Sequence, residues 1–525
     1  MTRWLWWLAL PVSAVLWALS LPNFFGDGWG FLAWFALVPI FLFLRQSSPW
    51  RSALAGAFFS FLLLLTTQFW LFHFSSVAFT IVAAVEIPEY ALVFLTLGWV
   101  EKAFPRWAPW LSAVVWTAFE FLRTLGFLGY PYASLASSQW LYPLILQTAD
   151  FAGPWLVTFW MASFAAWLAR WIAAQRSREF KALRTPSFVW LGLTLLLTVW
   201  GFFSWHFWAQ QELTDQKWSF ALVQHVQDPW KGGFEAYAEG FDKLVALTDK
   251  AESHDPAQTV VWSETAFVPS VFYHLKYRDD LDAVQLILRL QDWLATRKES
   301  FLIGNDHREL VDDSEGRRVL RDWNAVLDWD HGWKGLYKKR RLVPFTETFP
   351  FKKEFPWIFK WLKENDTHFW EPGKHANVLD VGGLPVGTPV CFEDAFGETC
   401  RPFVQNGARA LVNLTDDSWS GSVVPMRLHL ALAVWRAVEN RVPLLICANG
   451  GTTAAVRLDG VLQARLPEFI PGVLKVTVPV APAGSKTLFT RWGDWLGWMM
   501  VGCVALALLG SFLRRFWRQK PKNLR

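Results

Sequence analysis

Long apolar runs and ordinary mixed sequence alternate on a scale that divides the chain into compartments. Runs long enough to cross a bilayer occur at about 4–22, 28–45, 52–73, 76–99, 108–128, 143–169, 187–209 and 489–513. The pattern predicts eight membrane helices, seven ahead of a mixed-composition region and one behind it. The first run opens MTRWLWW and has the look of a signal peptide, but it feeds straight into further spans, so an uncleaved helix is expected. Between 212 and 485 the pattern changes to short strand-like segments at 220–223, 259–262, 301–303, 325–327, 386–390, 410–413 and 444–447. Helical periodicity at 280–298 and 426–440 falls between them. Strands alternating with helices over ~270 residues predict one α/β-type domain with its own core.

Composition sharpens this division. Hydrophobic residues make up 53% of the chain and charged ones 18%, against ~25% charged in soluble domains. The 37 Trp and 45 Phe suit a protein with rings at headgroup level. Lys and Arg then orient the spans. Arg3, the Arg45/Arg51 loop, the Lys102/Arg106 loop, the 170–184 connection and the tail 514–525 fall on one side. The opposite short loops at 24–27 and 74–75 carry neither residue. By the positive-inside rule both termini are cytoplasmic and the mixed region lies outside the cytoplasm. The net charge of +5 sits largely in these flanks and gives no nucleic-acid signal.

Polar residues within spans need partners, and Glu86, Glu89, Glu120 and Arg123 stand out. Glu86 and Glu89 flank Pro88, expected to kink or break its helix. Glu120 and Arg123 are spaced i, i+3 on one helix face, just before Gly129-Tyr130-Pro131. They read either as an ion pair bracing the bundle or as a polar floor for a lipid headgroup.

In the mixed region three places carry chemistry. In GTPVCFEDAFGETCRPF, Cys391 stands where a β-branched strand ends, so that following amides can face an oxyanion. Read alone, it is more readily a small apolar core residue. In VVWSETAFVP, Glu264 follows an apolar strand and precedes another apolar run; an N-cap is the plainer reading. In YKKRRLVPFTETFPF, Lys339 lies in a basic cluster, otherwise a solvated face, with Glu347 beyond it. A carboxylate, an ammonium and a thiol suit acyl transfer as base, oxyanion partner and nucleophile. The cysteines Cys391, Cys400, Cys447 and Cys503 form no metal-binding pattern, and a Cys391–Cys400 disulfide would remove a thiol that catalysis needs free.

Taken in chain order, Glu264, Lys339 and Cys391 resemble the Glu-Lys-Cys triad of the carbon–nitrogen hydrolase (nitrilase) superfamily. With the spans, the resemblance narrows to the bacterial apolipoprotein N-acyltransferases. It extends over nearly the whole chain through FEFLRTLGFLGYPYASLASSQW, WSETA, YKKRRLVPFTETFPF, VCFED, LVNLTDDSW, HLALAVWRAVENRVPLL and ANGGTTA. The resemblance implies a polytopic helical bundle of eight spans joined to an α+β αββα sandwich. Its parts would be a seven-helix transmembrane region at 1–210, an extracytoplasmic catalytic domain at 211–486, and a last helix with a basic tail at 487–525. It also implies that Glu264 is the general base, Lys339 the triad lysine and Cys391 the nucleophile. Glu347 matches a second essential acid, Glu393 the acid two after the cysteine, and Trp230 a family tryptophan. Arg341, Thr346 and Phe392 depart from the usual His, Gly and Tyr. Asn413, Arg436, Glu439 and Asn449 fall on family positions and read as structural, and His429 as a core residue on an apolar helix face.

The activity so implied moves an acyl chain from a phospholipid, by resemblance phosphatidylethanolamine, through a Cys391 thioester. The acceptor is the α-amine of an apolipoprotein's diacylglyceryl-cysteine. Lys339 and the amide near Phe392 would stabilise the oxyanion, with neither metal nor dissociable cofactor. The expected location is the inner membrane with the domain on the periplasmic side, in contact with bilayer and lipoprotein and not with nucleic acid. Segments 269–275 and 355–362 read as amphipathic arms dipping into the interface or as ordinary buried loops. Two other functions fit parts of the pattern: a membrane-anchored amidase, and a transporter or receptor whose intramembrane Glu86, Glu89 and Glu120 serve a sensing domain.

Overall fold

The computed structural model describes residues 5–74, 76–177, 184–211, 216–228, 231–253, 255–313, 315–364 and 368–518. Arg3, Ser75, part of the 170–184 connection, Trp230 and the tail beyond Arg518 lie outside the described residues. The chain divides into two units, Met1–Trp205 with Asp494–Arg525, and His206–Gly493.

In the first unit, five described helices are long and apolar enough to cross a membrane: Pro49–Thr67, Ser76–Ala103, Trp155–Gln175, Ser187–Gln210 and Trp495–Arg514. Shorter apolar helices occupy Ala9–Ser20, Gly30–Gln46 and Ala108–Leu122. Two expected runs are interrupted for local reasons. The run at 143–169 breaks at Gly153, whose φ of 64° leaves the helical region, next to Pro154, which has no N–H to donate. A new helix then starts at Trp155. The run at 489–513 breaks likewise at Gly493, φ 63°, and its long helix begins at Trp495. Pro88, by contrast, sits inside the continuous helix Ser76–Ala103.

The expected Glu120–Arg123 pair is not made. Arg123 turns instead to Glu86, with Glu89 at 3.5 Å and the Tyr90 hydroxyl at 3.3 Å. Gln68 Nε2 donates to the same Glu86 carboxylate at 3.2 Å. Glu120 accepts from Trp116 Nε1 at 3.0 Å, the Leu135 amide at 2.8 Å and the Thr158 hydroxyl at 2.9 Å. Each charge is thereby answered from a neighbouring segment, as an apolar surrounding demands.

The second unit contains twelve strands in chain order: β1 (Lys217–Gln224), β2 (Thr259–Phe267), β3 (Ser300–Asp312), β4 (Arg318–Trp329), β5 (Trp333–Lys338), β6 (Val378–Val381), β7 (Leu384–Gly387), β8 (Ala410–Asp416), β9 (Leu444–Asn449), β10 (Ala454–Val456), β11 (Leu462–Arg465) and β12 (Gly472–Pro479). They build two six-stranded sheets, ordered β12-β1-β2-β3-β4-β5 and β11-β10-β9-β8-β7-β6. The central neighbours β1–β2–β3 and β7–β8–β9 run parallel, and the outer pairs antiparallel. β2 packs across onto β8 and β9, and the helices Gly233–Glu252 and Leu281–Ala295 cover its other side through Phe241, Leu244, Ile287 and Leu290 around Trp262. The helices Gly397–Gln405 and Val423–Asn440 flank the second sheet. The order is helix, sheet, sheet, helix. Buried on both faces, the middle strands lose the apolar–polar alternation of a half-exposed strand, and all but one residue of β2 is buried.

Candidate active site

The site grows from the ends of the parallel strands. Glu264 lies within β2 rather than beyond its end, and it is not an N-cap. The β2–β3 register slips between Trp262 and Phe267, and Thr265 takes a φ of 46°. This irregularity turns Glu264 out of the pleat. Gly304 on β3 makes room for it, since a Cβ there would stand 2.1 Å from the Ser263 carbonyl oxygen.

Lys339 directly follows β5. Its amide donates to the Asn324 carbonyl at 2.8 Å, and its own carbonyl accepts from the Gly373 amide at 2.7 Å. The side chain is fully buried, with Nζ 3.2 Å from Glu264 Oε1 and 2.6 Å from Glu347 Oε1. Glu347 is held by its own turn, because the Val343 amide donates to Oε2 at 2.9 Å. Asn324 Nδ2 donates to Glu264 Oε1 at 2.6 Å, and the Asp416 amide to Glu264 Oε2 at 2.8 Å. One fully buried ammonium therefore joins two carboxylates.

Cys391 sits on a sharp elbow. β7 ends at Gly387, short of the expected 390, because Pro389 cannot donate to a ladder. Val390 makes a single bridge to Leu414. Cys391 then adopts a φ of 50°, sparsely populated by side-chain-bearing residues, and opens the 3-10 turn Cys391–Ala395. Asn413 Nδ2 fixes this elbow by donating to the Cys391 carbonyl at 2.8 Å. Glu264, Lys339, Asp417 and Glu347 all act electrostatically on the thiol.

Glu393 is fully buried. It accepts from the Tyr337 hydroxyl at 2.8 Å, the Arg340 amide at 2.9 Å, the Arg341 amide at 3.0 Å and the Val390 amide at 2.8 Å. One carboxylate thus clamps the residue before Cys391 to the residues after Lys339. Phe392 packs its ring on Phe396 at 4.8 Å. Arg341 lies over Phe396 and pairs with Glu398 at 2.7 Å. The Thr346 hydroxyl donates to the Val343 carbonyl at 3.4 Å. Trp230 lies outside the described residues.

The charges set a resting state. Burial opposes the Lys339 ammonium, but Glu264 and Glu347 outweigh it and hold the group well above the usual lysine range. Burial pushes the Cys391 thiol well up and Glu264 adds to this, against the pull of Lys339. Burial also raises Glu347, with Lys339 opposing. Asp416, raised chiefly by burial, reaches about 7. Both shifts favour the protonated forms, a thiol on Cys391 and an ammonium on Lys339.

Several contributors escaped sequence reasoning. Asn324 and Tyr337 lie in strands with nothing local to mark them. Asp416 and Asp417 stood in LVNLTDDSW without a role. His429 was expected on an apolar helix face, but it faces Asp394 at 2.8 Å and Asp417 at 3.3 Å. Of the two supposed arms, 269–275 begins buried at Val271, whereas the helix Pro356–Glu364 leaves Trp357 and Trp361 70% and 56% exposed.

The family model for the apolipoprotein N-acyltransferase N-terminal domain matches residues 13–167, and that for carbon-nitrogen hydrolases matches residues 220–486. Apolipoprotein N-acyltransferase 1 of Treponema denticola is 36% identical, covering 97% of this chain and 96% of its own length. Its namesake from Treponema pallidum is 35% identical, covering 95% and 93%. The apolipoprotein N-acyltransferase of Geobacter metallireducens is 28% identical over 97% and 96%. Among solved structures, an amidase from Nesterenkonia sp. is 19% identical with a TM-score of 0.34, over 50% of this chain and 90% of its own.

Proposed function

Because the chain belongs to the apolipoprotein N-acyltransferase family, we propose that it completes lipoprotein maturation through a thioester on Cys391. It is a bacterial membrane enzyme, its two-sheet unit a carbon–nitrogen hydrolase fold, its donor a membrane lipid and its acceptor a lipoprotein. The finer reading takes phosphatidylethanolamine as donor. The acceptor group is the α-amine of an N-terminal diacylglyceryl-cysteine. The protein sits in the inner membrane with eight spans, the three short apolar helices completing the five long ones. Region 1–210 carries the first seven, 211–486 is the catalytic domain on the periplasmic side, and 487–525 holds the last helix and basic tail.

The observation that carries this reading is the Lys339 ammonium wedged between Glu264 and Glu347, acting together with Glu264 on Cys391. Glu264 takes the thiol proton as Sγ attacks the ester carbonyl. Lys339 and the amide of Phe392 stabilise the tetrahedral oxyanion, a term worth about 3 kcal/mol per donor. Glu264 returns the proton to the leaving lysophospholipid. The lipoprotein amine then attacks the thioester, Glu264 accepts its proton, and the thiol re-forms as the amide departs. The thioester lies above the amide in energy, so the sequence needs no nucleotide. Glu347 and Glu393 are positioning residues, one for Lys339 and the other for both turns. Glu120 and Arg123 are read as bracing, since Glu86 already takes the guanidinium. The exposed Trp357 and Trp361 suit contact with the lipid interface.

Mass spectrometry of the intact protein purified from membranes tests the reading. An acyl adduct on Cys391, absent from Cys391→Ala, is expected. A Cys391→Ala protein that still transfers acyl chains refutes it.

A further inference from the structure

A buried trio beside the nucleophile has no part in the chemistry above. His429, on the helix Val423–Asn440, is 4% exposed. Its Nε2 stands 2.8 Å from Asp394 Oδ1 and its Nδ1 3.3 Å from Asp417 Oδ1. A neutral imidazole has one N–H, and an ionised carboxylate only accepts, so both contacts are hydrogen bonds only when the ring holds two protons. Burial opposes that charge, but Asp394 and Asp417 outweigh it and hold the imidazolium well above the usual histidine range.

Each carboxylate stands on a turn that carries part of the site. Asp394 belongs to the turn Cys391–Ala395 opened by the nucleophile. Asp417 follows Asp416, whose amide donates to Glu264 Oε2 at 2.8 Å. Asp417 also acts on Cys391 directly, raising the thiol. The imidazolium therefore touches the supports of both nucleophile and base, and it neutralises a carboxylate that otherwise disfavours the thiolate.

We propose that His429 is a positioning residue whose imidazolium ties the Cys391 turn to the turn anchoring Glu264 and cancels the charge of Asp417 beside the thiol. The inference rests on reading Cys391 as the nucleophile. The charged groups acting on the thiol are Glu264, Lys339, Asp417 and Glu347, and those acting on the imidazole are Asp394 and Asp417.

The test measures alkylation of Cys391 by iodoacetamide against pH in the full-length, detergent-solubilised enzyme. Cys503→Ala serves as background, since Cys503 is exposed while Cys400 and Cys447 are buried. His429→Gln should move the alkylation midpoint up by about one pH unit, a tenfold loss of thiolate below it. His429→Gln with Asp417→Asn should recover most of that loss, and Asp417→Asn alone should move the midpoint down. Acyl transfer should follow the same order in kcat with KM unchanged. The Asp417→Asn arm decides the matter even where His429→Gln does not fold. A filler of the core would lower the melting temperature of the His429 variants while their folded fraction kept the wild-type alkylation profile, and that outcome overturns the proposal. So does a double variant as slow as the single one, or an unmoved midpoint in Asp417→Asn. Failure of the underlying reading is seen separately, as acyl transfer by Cys391→Ala.

Discussion

Gly304→Ala is the smallest change that should separate the base from its lysine. Gly304 lies on β3 beside the irregular stretch of β2 that carries Glu264. An added Cβ would stand 2.1 Å from the Ser263 carbonyl oxygen, 2.6 Å from the Thr265 amide nitrogen and 2.8 Å from the Glu264 Cα. All three are backbone atoms, so no side chain can swing aside to relieve the clash. Reaching a tolerable contact of about 3.0 Å requires β2 to retreat by about 0.9 Å, an overpacking worth ~1–3 kcal/mol. That retreat acts at the residue whose carboxylate stands 3.2 Å from Lys339 Nζ and 2.8 Å from the Asp416 amide. A misplacement of about 1 Å in a reacting group costs about 10²-fold. Steady-state transfer from phospholipid to a diacylglyceryl peptide should therefore show kcat/KM reduced about a hundredfold, with melting lowered by only a few degrees. Gly304→Ser should match it, since the offending atom is the Cβ. Wild-type kcat/KM in Gly304→Ala, at unchanged melting temperature, would refute the claim that this contact fixes Glu264.

Three further changes probe other parts of the molecule. Lys339→Ala should slow both thioester formation and transfer, by about 10²-fold or more, because each passes through an oxyanion; single-turnover kinetics that show a normal first step would remove that role. Arg123→Ala should leave Glu86 buried without its partner and cost about 3–5 kcal/mol, whereas Glu86→Gln with Arg123→Gln should regain much of the loss, read as protein abundance and melting in detergent. Asp328 is 1% exposed, and burial with Asp330 and Asp380 nearby lifts its carboxyl to about 7. Its folded value exceeds its unfolded one, so the penalty is absent at low pH, grows as pH rises from about 4 to 7, and is then constant at up to ~4 kcal/mol. Asp328→Asn should therefore melt higher than wild type at pH 8, with a gain that vanishes towards pH 4; a gain independent of pH would rule this out.

The sequence was most informative where hydrophobic pattern and motif order coincide. β1, β2, β3, β4, β8 and β9 fall on anticipated apolar segments, and the helices Leu281–Ala295 and Val423–Asn440 on anticipated periodicities. The strands are largely buried and the helix Leu281–Ala295 buries one face, so in each the pattern is set by burial itself. β5, β6 and β11 went unseen because short outer strands with mixed exposure carry little period-two signal; β10, though buried, is only three residues long, and the longer β12 was not anticipated either. The Glu264, Lys339 and Glu347 contacts were anticipated as one group, but from chain order in a family, since they join positions 75 and 8 residues apart. Arg123 shows the limit of local spacing. The i, i+3 rule offered Glu120, while the fold brought up Glu86 from 37 residues away and answered Glu120 with neutral donors. His429 is the satisfied core residue that was expected, but its partners went unnamed for the same reason, since they come from two turns distant in sequence.

The resting charges bear on how such a site favours transfer over hydrolysis. A standing thiolate would react with whatever electrophile arrived, but the half-buried thiol of Cys391 is held well above its usual range by desolvation and by Glu264. On the proposed mechanism the nucleophile is made only when a carbonyl oxygen arrives to take negative charge beside Lys339, so proton removal and attack depend on a bound ester. Once the thioester forms, the thiol's contribution to local charge is gone, and Glu264 has passed its proton to the leaving alcohol. Glu264 is then free to accept a proton from whichever nucleophile reaches the thioester. The amine is the better nucleophile towards a thioester but water is far more abundant, so access weighs heavily in the outcome. An acyl chain lodged in apolar surroundings lowers the local concentration of water far more than that of a lipid-tethered amine, which the bilayer concentrates in two dimensions. Selectivity for transfer then lies in the membrane attachment of the acceptor, and an amine lacking its diacylglyceryl group should lose to hydrolysis.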